Sequence, residues 1–202
     1  MNVREIGPHR LSNRSLERVD YEQLTDGRTV SLLKTDPPWN EELMDYYSDL
    51  QQEQSPEPVI GTLSYTEMLS VLCDIAEEVV DGYVHVTTQA DDPTTYALLD
   101  KRLHNLQQQK ISYRDYDAGV YIGATDPAYP PIERIGLVRG LDAAKAFVRA
   151  STEPGEIVLD PMCGKGHYAE AAITEDRVFV GNDFNTSRID EAEELITELS
   201  ED

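Results

Sequence analysis

The chain comprises 202 residues, of which 40% are hydrophobic, so it is long enough to bury a core of its own as one domain. No stretch approaches the roughly 18 to 20 apolar residues that span a bilayer, and the start lacks the apolar segment of a secretory signal, so we expect a cytoplasmic protein without membrane association. The cysteines, Cys73 and Cys163, exclude a disulfide framework, and 39 acidic against 17 basic residues give a net charge of -22, which should repel nucleic acid.

The segment before Asp26 predicts a surface helix. Its arginines Arg10, Arg14 and Arg18 are four residues apart, a spacing that places them on one helical face. We interpret this face as solvated, with phosphate contact as the alternative.

A buried strand is predicted after the turn signal Asp26-Gly27. Residues 29–34 are mostly β-branched or aliphatic, which favours a strand. Two prolines follow in the sequence TDPPWN and should end the strand abruptly. Asp36 is therefore expected at the C-terminal tip of this strand.

The middle of the chain predicts a loop, two helices, a strand and a hairpin. Residues 40–61 are polar and proline-punctuated, which indicates a mobile surface loop. Ser64 and Glu67 have capping-box spacing at the start of a helix. The remaining predicted elements are a strand over 83–87, a helix over 94–109, and hairpin strands over 111–116 and 119–122 around the turn 117–119.

The last third alternates helices and strands. It predicts a helix over 141–150, a strand over 156–160, a helix from His167, a strand over 178–181 and a helix from Ser187. Such alternation is typical of a doubly wound, mostly parallel α/β sheet.

The first motif with chemical content is the loop DPMCGKG at residues 160–166. It joins a buried strand to a helix, and its glycines let the backbone approach a ligand at the C-terminal edge of the sheet. About twenty residues later the next strand ends in Asn182-Asp183-Phe184, where a carboxylate can accept hydrogen bonds from ribose hydroxyls and a ring can pack on adenine. The Asp before the loop would repel a pyrophosphate, so a non-phosphorylated nucleoside cofactor fits better.

The second motif is DPPW at residues 36–39. At a strand tip, the Asp36 carboxylate and the Pro37 carbonyl can both accept hydrogen bonds from one exocyclic amine, which polarises its lone pair toward an electrophile. Trp39 offers a flat apolar face on which a base can stack. A rigid proline turn with a buried Trp is the alternative interpretation.

Together the two motifs resemble those of the amino-methyltransferases, which carry a D/N/S-P-P-aromatic motif and a DPxxGxG-type loop. The resemblance implies a Rossmann-like seven-stranded sheet with an antiparallel hairpin. Because DPPW precedes DPMCGKG, the order is similar to the circularly permuted beta arrangement of DNA methyltransferases. The third strand of that fold must then come from elsewhere in the chain, and Asn2–Ile6 is a candidate.

The resemblance also implies roles for individual residues and regions. Asp36, Pro37, Pro38 and Trp39 would hold the target base, whereas Asp160, Pro161, Cys163, Gly164, Gly166, Asp183 and Phe184 would bind S-adenosylmethionine. The single domain, 1–202, would comprise a catalytic half at 27–110, a hairpin and target-recognition segment at 111–140, and a cofactor half at 141–202. No metal site is expected, because Cys163 and His167 alone do not form one.

The DPPW spelling is more typical of N6-adenine than of N4-cytosine enzymes, so the resemblance implies methylation of adenine N6 in DNA. Adenosine in RNA, N4 of cytosine, and a non-catalytic cofactor-binding subunit are the alternatives. The target base would have to leave the DNA duplex. The tyrosine-rich hairpin region with Arg114, Arg134 and Arg139 is the candidate DNA contact, and a homodimer or a partner subunit remains open.

The acidic composition allows three interpretations: an acidic surface that binds a partner, a disordered chain, or adaptation to molar salt. The hydrophobic content disfavours disorder. The excess of carboxylates with only 5 Lys against 12 Arg resembles proteins of halophilic archaea and their viruses, so we favour salt adaptation.

Overall fold

The computed structural model describes residues 2–46, 63–113, 116–133 and 140–201, and all structural statements concern these ranges. They form one eight-stranded sheet with helices on both faces. The strands are β1 (Val3–Ile6), β2 (His9–Ser12), β3 (Val30–Thr35), β4 (Val80–Gln89), β5 (His104–Tyr113), β6 (Tyr116–Ala124), β7 (Ile157–Asp160) and β8 (Val178–Asn182). The helices are α1 (Tyr21–Leu24), α2 (Tyr65–Val79), α3 (Pro93–Asp100), α4 (Leu141–Ser151), α5 (His167–Ile173) and α6 (Thr186–Glu201), with a 3-10 turn at Leu16–Arg18.

The centre of the sheet is parallel and its flanks are antiparallel. The strand order is β1-β2-β8-β7-β3-β4-β6-β5, in which β2, β8, β7, β3 and β4 run parallel to one another. Strand β1 pairs antiparallel with β2 at one edge, and the β5–β6 hairpin pairs antiparallel with β4 at the other. The predicted α/β class with a mostly parallel sheet and a hairpin is therefore confirmed, and β1 adds an eighth strand to the predicted seven.

Adjacent residues of the central strands enter different cores. Leu33 and Leu159 pack with α1, α2 and α3 on one face, whereas Leu32 and Val158 pack with α4, α5 and α6 on the other. Because successive side chains of a strand point to opposite faces, a strand covered on both sides can be apolar at consecutive positions. This explains Leu32-Leu33 in β3 and Ile157-Val158-Leu159 in β7.

The N-terminal prediction was wrong in two respects. Arg10 lies in β2 instead of in a helix, and the strand beside β8 is His9–Ser12, not the candidate Asn2–Ile6. The spacing of four residues did not reflect a helix here. Arg10 lies in a strand, Arg18 ends the 3-10 turn, and Arg14 lies between these elements. Buried Leu11 and His9, whose Nδ1 accepts a hydrogen bond from the Phe179 amide at 3.0 Å, hold β2 against β8.

The region between α2 and β6 differs from the prediction in its boundaries. The helix predicted to reach Gln109 ends at Asp100, and residues 104–113 form β5, because pairing with β6 outweighs the helical preference of this leucine- and glutamine-containing stretch. The hairpin turn does not lie at 117–119, since these residues pair within β6, and Tyr113 pairs with Tyr116. Of the predicted loop at 40–61, residues 41–46 are helical and residues 47–61 lie outside the described residues.

Other predicted elements agree with the structure. The capping box of α2 is present, since the Ser64 amide donates to Glu67 and the Ser64 hydroxyl accepts from the Glu67 amide. Helices α4, α5 and α6 and strands β3, β7 and β8 lie within one or two residues of their predicted starts. Within the described ranges, none of the helices has the length and apolar character that crossing a membrane requires.

Candidate active site

The two sequence motifs meet at one edge of the sheet. Strands β3 and β7 are parallel neighbours with Leu33 opposite Leu159, so both strands end at the same edge. Asp36 follows β3 directly, and Asp160 is the last residue of β7. The juxtaposition on which a shared site depends is therefore confirmed.

Asp36 and Trp39 are joined by a side-chain hydrogen bond. The indole Nε1 of Trp39 donates to Asp36 Oδ1 at 2.8 Å, which leaves Asp36 Oδ2 for another donor. The Thr88 hydroxyl of β4 donates to the Trp39 carbonyl at 3.3 Å and lies 2.8 Å from the Tyr65 hydroxyl of α2. The proline turn is thus attached to the neighbouring strand and helix.

The Asp36 carboxyl is reached by solvent but surrounded by protein. Desolvation raises its pKa above the usual value, and the Trp39 hydrogen bond, Lys34 and His167 oppose this rise. His167 is the first residue of α5 and directly follows the glycine loop, which lies on the strand next to the proline tip.

Lys34 is buried below the proline tip with 2% exposure. Its Nζ donates to the Thr87 hydroxyl at 3.2 Å and lies 4.5 Å from the Tyr168 ring centroid and 5.2 Å from that of Phe147. Burial lowers the Lys34 pKa to about 8, although Asp36 and Asp160 act to raise it. The site therefore contains a buried ammonium group that loses its proton more readily than an exposed lysine does.

The glycine loop is a backbone cradle. The Cys163 amide donates to the Asn182 carbonyl at 2.8 Å, which ties the loop to the end of β8. Gly164 and Gly166 have φ values of +54° and +85°, a region that favours glycine. A Cβ at Gly164 would have no heavy atom closer than 3.8 Å, whereas one at Gly166 would lie 3.3 Å from Ala192 Cβ of α6. Gly164 is therefore the less crowded of the two positions, and the nearest group to its Cβ position is the Arg188 guanidinium.

Two buried carboxyl groups flank this cradle. Asp160 Oδ1 accepts from the Met162 amide at 3.1 Å, and burial raises the pKa of Asp160 to about 7. Asp183 accepts from the Gly164 amide at 2.9 Å and from the Asn185 amide at 2.8 Å, and burial raises its pKa above the usual value. Asp183 therefore supports the loop, and each of its oxygens retains a second lone pair for a ligand.

The structure brings the predicted site residues to this one edge of the sheet. They are Asp36, Pro37, Pro38 and Trp39 at the end of β3, Asp160, Pro161, Cys163, Gly164 and Gly166 after β7, and Asp183 and Phe184 after β8. Cys163 is buried and burial raises its thiol pKa, so it acts as a packing residue of the cradle. The Lys165 side chain points away from the cradle, and its Nζ forms an ion pair with Glu191 Oε2 of α6 at 2.7 Å.

Some site residues were missed and others lie outside the described ranges. Lys34, Tyr168 and Thr88 were not singled out from the sequence, although a lysine within an otherwise apolar strand is a signal for Lys34. The candidate DNA contacts Arg114, Arg134 and Arg139 lie outside the described residues. In the part of the chain that is described, no group of three or more His, Cys, Asp or Glu residues could hold a metal ion.

Comparison with known proteins places this geometry among methyltransferase folds. Residues 139–194, which span α4 to α6 and include the glycine loop, match the family model described as DNA methylase. None of the curated protein sequences matches the chain.

Several solved structures share the fold over nearly the whole chain. TTHA0409 of Thermus thermophilus, solved with S-adenosyl-L-methionine, is 15% identical, with a TM-score of 0.62 and coverage of 95% of this chain and 94% of that one. M1.HpyAVI is 12% identical, with a TM-score of 0.62 and coverage of 92% and 97%. The cytosine-N4-specific PvuII DNA methyltransferase is 14% identical, with a TM-score of 0.58 and coverage of 99% and 95%. At these identities the likeness shows a common fold.

Proposed function

We propose that this protein transfers a methyl group from S-adenosylmethionine to N6 of adenine in DNA. The observation that carries the proposal is the juxtaposition of the DPPW tip and the glycine loop at the ends of the neighbouring strands β3 and β7. An amine held by one tip can meet a methyl donor held by the other. The match of residues 139–194 to the DNA methylase model supports the same class of reaction.

The residues of the cradle fit such a cofactor. Gly164 has no side chain, and the nearest group to its Cβ position is the end of the Arg188 side chain at 3.8 Å, so a nucleoside can approach the backbone there. Asp183 has lone pairs for ribose hydroxyls. Two carboxyl groups, those of Asp160 and Asp183, flank the cradle. Carboxylates in this position attract a cationic methyl donor and repel a pyrophosphate. TTHA0409, which shares the fold, was solved with S-adenosyl-L-methionine.

The proline tip fits an exocyclic amine. Asp36 Oδ1 is engaged by the Trp39 indole, so Asp36 Oδ2 and the Pro37 carbonyl are assigned to the two amine hydrogens. Both acceptors polarise the nitrogen lone pair toward the cradle. The half-buried indole of Trp39 supplies the stacking face for the base.

Positioning supplies most of the rate enhancement in this scheme. S-adenosylmethionine provides an electrophilic methyl group on a sulfonium, and the amine nitrogen forms the new bond as the sulfur–carbon bond breaks. The nitrogen becomes cationic, its acidity rises, and one of its protons is lost. Asp36, which solvent reaches, stabilises this charge and lies on the proton's route to water.

Cytosine N4 is the second candidate target. It is favoured by the fold shared with the PvuII enzyme, which is described as cytosine-N4-specific. Adenine N6 remains our proposal, because the DPPW motif begins with Asp, the spelling that resembles the N6-adenine enzymes. We further propose that the chain is cytoplasmic and that its net charge of -22 is an adaptation to molar salt, in which phosphates and the acidic surface repel each other little.

The product of the reaction tests the proposed target. DNA is incubated with the protein and S-adenosylmethionine in molar KCl and digested to nucleosides, which are separated by liquid chromatography and identified by mass. We expect N6-methyldeoxyadenosine from the wild type and from the control Asp100→Ala, whose residue lies exposed on α3. Formation of N4-methyldeoxycytidine instead would show that the target is cytosine N4. Methylation of RNA but not of DNA would show that the substrate is RNA.

A further inference from the structure

Lys34 belongs to a buried polar cluster beneath both motif tips. The cluster comprises Lys34, His85, Thr87, Phe147 and Tyr168, contributed by β3, β4, α4 and α5. Lys34 lies opposite His85 in the parallel pairing of β3 with β4, and His85 is fully buried. Positions 32 and 34 share one face of β3, the face that α4 and α5 cover.

The Lys34 ammonium is held without a direct ion pair. Its contacts are the Thr87 hydroxyl and the faces of the Tyr168 and Phe147 rings, which stabilise a cation through their π electrons. Among the described residues, the ion pairs within 4.0 Å do not include Lys34. Within the described residues, the ammonium therefore forms no ion pair that would use the carboxylate oxygens of Asp36 or Asp160.

The strand pairing places Lys34 next to both motif tips. Lys34 lies two residues before Asp36, and its neighbour Leu33 pairs with Leu159, the residue before Asp160. The charge of Lys34 therefore acts on both tips. It lowers the pKa of Asp36 and that of Asp160, each of which desolvation raises. The low polarity of a buried cluster transmits this effect farther than water would. Asp36 and Asp160 in turn favour the protonated form of Lys34.

We propose that Lys34 is a positioning residue that favours the ionised forms of Asp36 and Asp160 from beneath the site while leaving their oxygens available as hydrogen-bond acceptors. The aromatic rings replace the carboxylates as direct partners of the ammonium. The charge effect does not depend on the reaction, whereas its catalytic use rests on the proposed function.

Other titratable groups face these carboxyls and enter the design of a test. From α5, His167 acts on Asp36, and Tyr168, whose pKa burial raises, packs against Lys34. From β4, His85 has a pKa well below its usual value because of burial and Lys34, so it is neutral. From the end of β8, Asp183 raises the pKa of Asp160. Because His167 acts on Asp36 in the same direction as Lys34, one arm of the test replaces it.

The test compares the wild type with Lys34→Met, a neutral side chain of similar length. The carboxyl carbons of Asp36 and Asp160 are titrated by 13C NMR without cofactor or DNA, both alone and in a His167→Gln background. We expect both midpoints to move to higher pH in Lys34→Met and to stay in place in Lys101→Met, which removes an exposed lysine. Lys34→Gln, which can keep a contact with Thr87, should shift them in the same direction.

Catalysis provides a second readout. The acidic limb of the kcat/KM profile for methyl transfer should move to higher pH in Lys34→Met, with about a tenfold loss on that limb for each pH unit moved. Unmoved NMR midpoints in both Lys34 variants would overturn the proposal, whether or not the protein methylates DNA. Moved midpoints in a protein without methyl transfer would support the charge effect and refute the proposed function instead.

Discussion

Three side chains act together at the proline tip: the Asp36 carboxyl, the Trp39 indole and the Lys34 ammonium. Trp39 fixes the orientation of Asp36 through one oxygen, and Lys34 supplies positive charge from below. A DPPW sequence by itself indicates the acceptors. The ionic state of the Asp36 carboxyl also depends on Lys34, which lies two positions earlier and outside the motif.

Asp160 makes stability depend on pH at the scale of one residue. Its pKa is about 7 in the folded protein, above the usual value of 3.8. The folded state then binds the proton more tightly than the unfolded chain does. Protonation of Asp160 therefore stabilises the fold fully below about pH 4, and this stabilisation is lost as the pH rises through 7.

We expect Asp160→Asn to melt at a higher temperature than the wild type at pH 8, by at least about 3 °C, and to differ little at pH 4. The amide oxygen can still accept the Met162 hydrogen bond, so the loop should keep its geometry. Differential scanning calorimetry across this pH range provides the measurement, and Asp100→Asn serves as the exposed control. Equal melting temperatures at pH 8 would contradict the assignment of a destabilising buried charge.

At the scale of elements, the sequence predicted what depends on local pattern. The ends of β3 and β7, the capping box of α2 and the glycine loop each follow from proline, serine or glycine at positions where backbone geometry requires them. The switch from helix to strand after Asp100 depends on pairing with β6, and β2 depends on contact with β8. Such long-range pairing leaves little mark on the local sequence.

The two glycines of the cradle should separate folding from ligand binding. A Cβ at Gly166 would press on Ala192 and Leu195 of α6, at 3.3 and 3.4 Å, in addition to its left-handed φ. We expect Gly166→Ala to lower the free energy of unfolding by about 2 kcal/mol. A Cβ at Gly164 would meet only the Arg188 guanidinium, at 3.8 Å, so Gly164→Ala should cost only about 1 kcal/mol.

For cofactor binding we expect the opposite order, with Gly164→Ala more harmful than Gly166→Ala. Gly164→Ala places a methyl group where the cofactor approaches, so we expect at least about a tenfold loss of S-adenosylmethionine affinity by isothermal titration calorimetry. Urea unfolding of the same samples gives the stability comparison. A Gly164→Ala protein that binds as tightly as the wild type would place the cofactor elsewhere.

At the scale of the whole molecule, the net charge of -22 acts against compactness. Repulsion among exposed carboxylates weakens as salt rises, because the Debye length falls from about 10 Å at 0.1 M to about 3 Å at 1 M. Ion pairs such as Arg4 with Asp190 and Arg149 with Glu175 cannot neutralise this excess, because 39 acidic residues stand against 17 basic ones. Added salt should therefore stabilise the fold.

We expect the melting temperature to rise by about 10 °C or more between 0.1 and 2 M KCl. Circular dichroism at fixed pH measures it, with sorbitol as the uncharged control for general exclusion effects. A melting temperature that is flat or falls with KCl would mean that the carboxylate surface is adapted to a binding partner and not to salt.

The central claim is that the proline tip and the glycine loop form one methyl-transfer site, and Asp36→Ala tests it most directly. Alanine removes both the hydrogen-bond acceptor and the negative charge that polarise the amine. Transfer of radiolabelled methyl from S-adenosylmethionine to DNA should fall at least about a hundredfold, with cofactor affinity unchanged. Equal transfer by the wild type and by Asp36→Ala would contradict the account.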